Sequence, residues 1–343
     1  MTTMRAAVMR DKRLVVADVP VPEPGPGEVL VRTLACGICG SDLHALKHAE
    51  RFAASYKRAD GTAMLDIGRD VVMGHEFCAE IVEHGPGAAR RLARGTRVCS
   101  IPVLVRGGAR LTIGYSNDHP GGYAEYMRLT EAFLLPVPNG LATEEAALTE
   151  PMAVGLHAVN KVPMAAGDTA LVVGCGPVGL AVIAALRLRG VAPIVAADFA
   201  PRRRELATLL GADVVVDPAA TEPIARWRAA AGARPLVVFE CVGVPGVIAQ
   251  IMEAVPRDTR IVVVGVCMEP DTIHPLRGIS KELSVQFVLG YTPEEFAVTL
   301  RHIAEGLVST APLVTGTVGV DGVARAFEDL ASPERHAKIL VKP

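Results

Sequence analysis

The sequence lacks the features that would direct a protein to a membrane, to nucleic acid or out of the cell. No apolar run reaches the roughly 18 residues that suggest a membrane span, and the apolar stretch 178–188 is too short. The formal net charge is −2, so we expect neither nucleic acid nor an anionic membrane as a partner. Residues 1–7 have no long apolar segment and no clear cleavage site, so we expect no signal peptide.

The seven cysteines are scattered and odd in number, so a disulfide framework is not expected. A reducing compartment fits this usage better, and we predict a cytoplasmic protein. The chain has 343 residues, and half of them are apolar. That length predicts one large or two ordinary domains, and such a chain buries an ample core without disulfide bonds.

The first 150 residues predict a β-rich, barrel-like domain. Short strand-like runs alternate there with turns rich in glycine and proline. The predicted strands are 4–9, 13–18, 28–35, 77–83, 96–101, 123–129 and 133–137. Residues 47–73 are rich in charged and small residues instead, and we interpret them as an exposed loop that includes a short helix. Loops of this length are usually functional or disordered.

After residue 150, strand-like runs alternate with helical patterns. The predicted strands are 169–173, 193–197, 213–216, 235–239, 260–264 and 284–288. The predicted helices between them are 177–189, 201–210, 222–230 and 246–254. This alternation predicts a parallel sheet with helices on both faces, and six strands in two halves make a doubly wound, dinucleotide-binding sheet. The tail adds two amphipathic helices and a last strand, predicted at 293–306, 320–331 and 338–341.

Side chains that can bind a metal ion occur in two short segments. Residues 36–44 have the sequence CGICGSDLH, and residues 74–76 have the sequence GHE. With a later carboxylate at Glu150, they supply a thiolate, an imidazole and two carboxylates. These are the ligand types that zinc takes when it keeps one position open for chemistry. We predict Cys39 and His75 as the best-supported pair of ligands.

A glycine-rich motif follows the predicted strand 169–173 and begins an apolar helix. Its residues are Gly174, Cys175, Gly176, Pro177, Val178 and Gly179. The first glycine permits a tight turn, the second lets the backbone approach a pyrophosphate, and the third allows close helix packing. The helix N-terminus would face the phosphates. The motif therefore predicts a dinucleotide cofactor.

The next predicted strand ends at Asp198. A carboxylate there hydrogen-bonds the adenosine ribose hydroxyls and repels a 2′-phosphate, so we predict NAD rather than NADP. Arginines at 202–204 are the opposing signal, because a nearby arginine can hold that phosphate. They can equally form a solvated helix face.

Together these segments resemble the zinc-dependent medium-chain dehydrogenase/reductase family (the alcohol dehydrogenase superfamily), most closely its sorbitol and threonine dehydrogenase branch. Residues 121–126 (GGYAEY) and the C-terminal residues 338–343 (KILVKP) also resemble that family. The resemblance implies a Rossmann doubly wound parallel sheet plus a GroES-like β-barrel catalytic domain. It places the catalytic domain at 1–153 and 291–343, because the tail returns to it, and the cofactor-binding domain at 154–290.

The resemblance leaves one zinc ligand open between two carboxylates. In that branch either glutamate can coordinate, here Glu76 or Glu150, and the one after the histidine can exchange with water. Glu150 also fits a first-turn carboxylate that faces the helix dipole. The resemblance assigns ligation to Cys39 and leaves Cys36 to packing, although a cysteine pair of this spacing can also bind metal or carry redox chemistry.

The resemblance also gives roles to three residues that follow Cys39. Asp42 would accept a hydrogen bond from the second ring nitrogen of His75, and Ser41 with Asp42 is also a helix N-capping signal. Ser41 and His44 match the proton relay of the family. There a hydroxyl takes the proton of a zinc-bound alcohol and passes it, by way of the cofactor ribose, to a near-neutral imidazole. Taken alone, His44 is an ordinary surface histidine.

Further cofactor contacts are implied by the resemblance, and one metal site of the family is missing. The implied contacts are Arg203, Cys241, Val242, Gly243, Val264 and Gly265. Residues 241–243 can also be read as a simple turn between a strand and a helix. Many relatives hold a second, structural zinc with four close cysteines, but residues 95–119 contain one cysteine, so we predict a single zinc per chain.

The resemblance as a whole implies a zinc-dependent oxidoreductase that transfers hydride between an alcohol, preferably a secondary alcohol or polyol, and NAD. One alternative is a zinc-free quinone or enone reductase of the same superfamily, and another is a non-catalytic relative that binds NAD only. A homodimer or homotetramer is expected from the family. Residues 47–73 would form a lid or wall of the substrate cleft, with Phe52 or Tyr56 in contact with substrate, or else a solvated insertion.

Overall fold

The computed structural model describes residues 2–55, 65–332 and 335–343. Its first half consists mainly of short strands joined by turns. The strands are β1 (Thr3–Arg10), β2 (Arg13–Pro20), β3 (Glu28–Gly37), β4 (Val71–Val72), β5 (Glu76–His84), β6 (Arg97–Cys99), β7 (Val103–Arg106), β8 (Ala109–Thr112), β9 (Tyr126–Thr130) and β10 (Leu135–Pro136). The helices are α1 (Gly40–Lys47), α2 (Ala49–Ser55), α3 (Thr143–Ala147) and α4 (Thr149–Asn160).

The second half alternates strands and helices before the tail begins. The strands are β11 (Thr169–Val173), β12 (Ile194–Ala197), β13 (Val214–Val216), β14 (Leu236–Glu240), β15 (Arg260–Val263), β16 (Ser284–Phe287), β17 (Val314–Val318) and β18 (Lys338–Val341). The helices are α5 (Pro177–Leu188), α6 (Pro201–Leu209), α7 (Pro223–Ala231), α8 (Val247–Ala254), α9 (Pro275–Lys281), α10 (Pro293–Ala304) and α11 (Val323–Leu330).

Strands β11 to β16 form one parallel sheet in the order β13-β12-β11-β14-β15-β16. This order confirms the predicted doubly wound sheet, and it reverses direction between β11 and β14, where such sheets bind their ligand. Strands β11, β12 and β14 are apolar along most of their length because helices cover both faces of the sheet.

The strands of the first half form a second, mainly antiparallel unit that the tail completes. One sheet has the order β10-β6-β5-β3-β18-β17, with β9 also paired to β3, and another has the order β2-β1-β4. The C-terminal strand β18 lies antiparallel to β3, with Leu340 opposite Gly37. The tail therefore contributes to the sheet of the first half. The predicted domain boundaries, after residues 153 and 290, stay a prediction.

The sequence patterns missed several short elements of the described chain. They are β4, β7, β8, β17, α3 and α9. Strands β7 and β8 form a hairpin whose turn residues Gly107 and Gly108 have φ of +56° and +81°. A Gly-Gly pair between two strands is a hairpin signal that the sequence did contain. The strand predicted at 123–129 begins later, at Tyr126.

The segment 47–73 is more closely packed at its described ends than an exposed loop would be. The predicted short helix is confirmed by the end of α1 and by α2. Phe52, Leu65 and Val71 are buried, so the prediction of an exposed loop is wrong for these ends. Tyr56 lies outside the described residues.

The two halves pack through α4, which contacts α5 on one side and α10 on the other. A Cβ atom on Gly155 of α4 would overlap the backbone of Ala181 in α5, so glycine permits this close approach. On the other side, Nδ1 of His157 lies 2.7 Å from Oε2 of Glu295 at the start of α10. Among the described residues, no helix is both long enough and apolar enough to cross a membrane.

Candidate metal centre and cofactor site

Adjacent strands bring the two predicted metal-binding segments together. Strand β3 leads into Cys39 at the N-terminus of α1, while His75 and Glu76 stand where β5 begins. The two strands are antiparallel neighbours, with Gly37 opposite Glu76. A Cβ atom on Gly37 would overlap Oε2 of Glu76, so the glycine leaves room for the carboxylate. Pairing of β3 with β5 thus brings the Cys39 thiol and the His75 imidazole together in space, although they are far apart in the sequence.

Three of the four predicted ligands form one cluster. Ligand atoms of Cys39, His75 and Glu76 all lie within 4.8 Å of one another. Glu76 is fully buried and His75 nearly so, whereas Cys39 is partly exposed. A thiol, an imidazole and a carboxylate in such proximity match the donor set of a catalytic zinc site with an open position. The residues present therefore fit a zinc ion, and their individual roles stay predictions.

The fourth predicted ligand, Glu150, is buried in the first turn of α4 but is not part of this cluster. Burial raises the pKa of Glu150 to about 7, and the charge of Glu76 acts in the same direction. The Tyr291 hydroxyl is buried beside it and has no hydrogen bond of ordinary geometry with the described residues. Glu150 is therefore a buried carboxyl group next to the cluster, and it gains or loses its proton close to physiological pH.

Glu76 is already paired with a cation, Lys338 at the start of β18. The Lys338 Nζ atom lies 2.7 Å from both carboxylate oxygens and donates a third hydrogen bond to the Ile38 carbonyl at 2.9 Å. Both side chains are almost completely buried. Burial lowers the pKa of Lys338, but the charges of Glu76, Cys39 and Glu150 and the hydrogen bonds to Glu76 together outweigh it and raise the pKa above its ordinary value. This pair was not predicted from the sequence, although a lysine at the start of an apolar strand was a visible signal.

Behind the cluster lies Asp42, whose carboxylate is completely buried and surrounded by donors. It accepts hydrogen bonds from Tyr115 Oη at 2.8 Å, from Tyr123 Oη at 2.6 Å and from the Cys39 amide at 3.1 Å. His75 Nδ1 lies 3.5 Å from Oδ1 of Asp42. Burial raises the pKa of Asp42, but the charge of His75 and the hydrogen bonds outweigh it, so the pKa lies below its usual range.

His75 Nδ1 has no hydrogen-bond partner among the described residues, so the predicted role of Asp42 as the acceptor for that nitrogen stays a prediction. The two tyrosines were not among the predicted site residues. Tyr123 belongs to the GGYAEY segment, which the sequence analysis did single out, whereas Tyr115 lies in no recognised motif. A buried carboxylate that accepts three hydrogen bonds is rigidly held, so Asp42 fixes the orientation of the groups around it.

The predicted relay residues lie on one face of α1. Ser41 Oγ is 2.8 Å from Tyr115 Oη. His44 follows three residues later, is partly exposed, and stacks against His48 with ring centroids 6.3 Å apart. Burial lowers the pKa of His44, and the charges of His48 and Lys47 lower it further. The imidazole is therefore largely neutral at pH 7 and able to accept a proton.

The glycine motif forms the turn between β11 and α5. Gly174 has a φ of +91°, which favours glycine, and a Cβ atom on Gly179 would overlap the Gly174 carbonyl oxygen. A Cβ atom on Gly176 would meet nothing within 4 Å. Helix α5 then begins with Pro177, followed by Val178. This open backbone at a helix N-terminus fits a dinucleotide pyrophosphate.

Asp198 stands at the carboxyl end of β12, beside the glycine motif. Its carboxylate accepts hydrogen bonds from the Cys175 and Ala200 amides, each at 2.8 Å. Of the nearby arginines, Arg202 pairs with Glu205, and Arg204 binds backbone carbonyls and Asp217. Arg203 lies 3.8 Å from Asp198, and its buried Nε has no partner among the described residues. Within the described chain, Arg203 is therefore the one arginine of the three that lacks a partner for part of its side chain and could hold the 2′-phosphate of NADP.

Two further loops lie side by side at the same edge of the sheet. After β14, the amides of Val242 and Gly243 donate to the Glu240 carboxylate at 2.7 Å and 2.9 Å. After β15, the Gly265 amide donates to the Glu240 carbonyl oxygen at 2.9 Å. Since β14 adjoins β11, these loops, with Cys241 and Val264, flank the switch point of the sheet. Their contact with a cofactor stays a prediction.

Each half of the chain matches a known family model. Residues 25–139 match the family model described as alcohol dehydrogenase GroES-like domain. Residues 177–305 match the model described as zinc-binding dehydrogenase. These matches confirm the predicted combination of a GroES-like and a Rossmann domain. Together with the NADP-bound structural relative described below, they also support the use of a metal ion and a nicotinamide cofactor.

Individual relatives match over nearly the whole chain. (R,R)-butanediol dehydrogenase of Bacillus subtilis is 34% identical over 353 residues, which cover 99% of this chain and 100% of the relative. Sorbitol dehydrogenase of Gallus gallus is 29% identical over 338 residues, covering 94% and 91%.

Solved structures agree with these matches. The crystal structure of 2R,3R-butanediol dehydrogenase from Bacillus subtilis has a TM-score of 0.84 at 32% identity and covers 99% of both chains. That of a zinc-binding dehydrogenase from Sinorhizobium meliloti 1021, bound to NADP, has a TM-score of 0.84 at 27% identity and covers 100% of both chains. The chain therefore belongs to the zinc-dependent medium-chain dehydrogenases/reductases of the alcohol dehydrogenase superfamily.

Proposed function

We propose that this protein is a dehydrogenase that uses zinc and NAD to interconvert a secondary alcohol or polyol and the corresponding ketone. The observation that carries the proposal is the cluster of Cys39, His75 and Glu76, with ligand atoms within 4.8 Å of one another. The relatives that are named for butanediol and sorbitol support the substrate class. A zinc-free reductase or a non-catalytic relative would have no need to retain this donor set.

The chemistry divides between the bound groups and the side chains of the chain. A zinc ion stabilises an alkoxide, and a nicotinamide ring accepts hydride. Ser41 accepts the proton of the substrate hydroxyl, and His44 carries it to solvent because its imidazole is neutral at pH 7. Asp42 holds the imidazole of His75 in the orientation that leaves the other ring nitrogen free to bind the metal.

The third zinc ligand in this proposal is Glu76, because its carboxylate is in the cluster with the thiol and the imidazole. Glu150 stands next to it as a buried carboxylate and is the alternative ligand. The proposal includes one zinc per chain. Within residues 95–119 the single cysteine, Cys99, is buried, and its thiol lies 3.2 Å from the Ala146 carbonyl oxygen, so it packs rather than binds metal.

The proposed cofactor is NAD, selected by the carboxylate of Asp198. Two of the three arginines that could favour NADP have other partners, as described above. The Sinorhizobium relative that binds NADP is the counterexample within the family. A direct comparison of kcat/KM for the two cofactors tests the choice, and preference for NADP in the unmodified enzyme would overturn it.

The proposed assembly is a homodimer or homotetramer in the cytoplasm. Strand β16 is the edge of the parallel sheet, and all four of its residues are exposed. Phe287 and Leu289 are 66% and 86% exposed, and Leu276 and Ile279 of α9 are each 72% exposed. An open edge with apolar side chains favours pairing with a second copy. Sedimentation of the unmodified protein beside Phe287→Lys tests this, and a monomer in both cases would contradict it.

We keep residues 47–73 as a proposed lid or wall of the substrate cleft, but Phe52 is no longer proposed as a residue that contacts substrate. Phe52 is 3% exposed, and its ring stands edge-on to that of Tyr115, with centroids 4.7 Å apart. Phe52 therefore packs against Tyr115 in the protein interior and is not available to substrate. Replacing residues 57–63 by a short glycine linker should change the relative rates among alcohols while zinc is retained. An unchanged substrate profile would leave the segment as a simple insertion.

The experiment that tests the proposed function combines metal analysis with an alcohol panel. Purified protein should contain about one zinc per chain and should reduce NAD with secondary alcohols or polyols. Cys39→Ser should remove zinc and activity together, whereas Cys36→Ser, three residues earlier, should retain zinc. Full activity in a metal-free preparation, or no oxidation of any alcohol by the zinc-loaded protein, would contradict the proposal.

A further inference from the structure

Tyr115 links the proposed proton acceptor to the buried carboxylate behind the metal centre. It lies between β8 and β9 and is 3% exposed. Its hydroxyl is 2.8 Å from Oδ1 of Asp42 and 2.8 Å from Oγ of Ser41. Its ring packs against Phe52 and lies 5.2 Å from the ring of His75. Nothing in the family motifs marks this residue.

The direction of the two hydrogen bonds follows from counting protons. An ionised carboxylate can only accept, and a phenol has one proton to donate. The Tyr115 proton therefore points to Asp42. Towards Ser41, Tyr115 Oη can then only accept, so the Ser41 hydroxyl is the donor. This is the only side-chain hydrogen bond of Ser41 among the described residues.

We propose that Tyr115 is a positioning residue that turns the proton of Ser41 away from the substrate and leaves the lone pairs of Ser41 Oγ free to accept the substrate's hydroxyl proton. The proposal rests on the proposed function, in which Ser41 is the first acceptor. When Ser41 takes the substrate's proton, rotation about its Cβ–Oγ bond releases the original proton towards His44, so one proton enters and one leaves. Without Tyr115, the hydroxyl can point its own proton at the substrate oxygen and block the transfer.

The chain contains a matched control for this role. Tyr123 is also buried, and it donates to the same carboxylate, at Oδ2 of Asp42. Its hydroxyl lies 3.5 Å from the Gly37 carbonyl oxygen and has no hydrogen bond to Ser41. Tyr123→Phe therefore removes one donor from Asp42 without touching Ser41, whereas Tyr115→Phe removes one donor and also the acceptor of the Ser41 proton.

The first test compares kcat, KM, zinc content and NADH binding for the two variants, with 2,3-butanediol as substrate. We expect Tyr115→Phe to reduce kcat about tenfold more than Tyr123→Phe, since misdirected proton transfer forfeits part of a 10²- to 10⁴-fold effect. KM, zinc content and NADH fluorescence should be the same in both. In a Ser41→Ala background, Tyr115→Phe should cost no more than Tyr123→Phe does, because the hydroxyl that it orients is gone and only the donor to Asp42 is lost.

Equal losses in the two tyrosine variants would overturn the proposal, because Tyr115 would then act through Asp42 alone. An undiminished effect of Tyr115→Phe in the Ser41→Ala background would overturn it as well. Full activity of Ser41→Ala would instead overturn the relay in the proposed function, whatever the tyrosine variants do. Neutron diffraction from the unmodified, deuterated protein tests the geometry without any variant. Deuterium on Ser41 directed at Tyr115 supports the proposal, and deuterium on Tyr115 directed at Ser41 refutes it.

Discussion

Removing the cation from the buried Lys338–Glu76 pair should destabilise the metal-free protein severely. Lys338→Met keeps most of the side-chain volume but leaves a fully buried carboxylate without its counter-ion. At the observed 2.7 Å and an effective dielectric constant of about 20, the lost attraction is about 6 kcal/mol. Removing one partner of a buried pair typically costs about 3–5 kcal/mol in measured stability. We therefore expect the free energy of unfolding to fall by about 3–5 kcal/mol.

The same variant reports whether Glu76 binds the metal. If Glu76 is a zinc ligand, zinc replaces part of the lost positive charge, so Lys338→Met costs less in the zinc-loaded protein than in the metal-free protein. By linkage, the variant must then bind zinc more tightly than the unmodified protein. If Glu150 is the ligand instead, zinc leaves the cost of Lys338→Met nearly unchanged.

The assay is urea unfolding followed by circular dichroism, with and without zinc, and Lys342→Met is the control. Lys342 is the next lysine along the chain and pairs with Glu144 at the surface, where it is 43% exposed. Its loss should cost less than about 1 kcal/mol. A Lys338→Met loss no larger than that of Lys342→Met would refute the account of the pair. An equal Lys338→Met loss with and without zinc would refute ligation by Glu76.

Three further predictions concern the cofactor site of the parallel-sheet half and the contact between α4 and α10. Asp198→Gly should raise the kcat/KM ratio of NADP over NAD by removing charge repulsion, and an unchanged ratio would show that Asp198 does not select the cofactor. Gly176→Ala should weaken NADH binding, measured by fluorescence, by about tenfold or 1.4 kcal/mol, with little change in the free energy of unfolding. Gly179→Ala should weaken NADH binding and also lower the free energy of unfolding by about 1–3 kcal/mol. Equal stability of the two variants would contradict the packing around Gly179. Burial raises the pKa of Glu295, but hydrogen bonds, including one from Asn160, lower it below its ordinary 4.5. Its contribution is therefore fully present above that pH and is lost as the pH falls through the lowered pKa. Glu295→Gln should lower Tm at pH 7, and the difference in Tm should shrink as the solution becomes more acidic than pH 4.5. A difference that does not depend on pH would contradict this.

The cluster of candidate metal ligands was predictable because the local sequence fixes the residue types, and the family resemblance supplies their spacing. Cys39 and His75 each stand next to glycines that could be recognised without knowing the fold. Lys338 was not recognised as the partner of Glu76, because 262 residues separate them. Their contact depends on how β18 pairs with β3, and a register between distant strands leaves little trace in a single sequence.

The same contrast holds for the fold. The parallel sheet was predicted strand by strand, because each long apolar run alternates with a helix. In the first half, strands such as β4, with two residues, carry too little pattern to be recognised. Tyr115 could not be predicted as a site residue for a similar reason, since only the tertiary fold brings its hydroxyl to Ser41 and Asp42.

X-ray absorption at the zinc K edge of the purified protein tests the central claim most directly, because it counts the sulfur ligands of the metal. The account predicts one sulfur at about 2.3 Å, from Cys39, and nitrogen or oxygen ligands at about 2.0–2.2 Å. Cys39→Ser should lose the bound zinc and therefore the absorption edge itself, whereas Cys36→Ser should keep the zinc and its single sulfur ligand. Two or more sulfur ligands, or a zinc ion with none, would contradict a catalytic site built from Cys39, His75 and a glutamate.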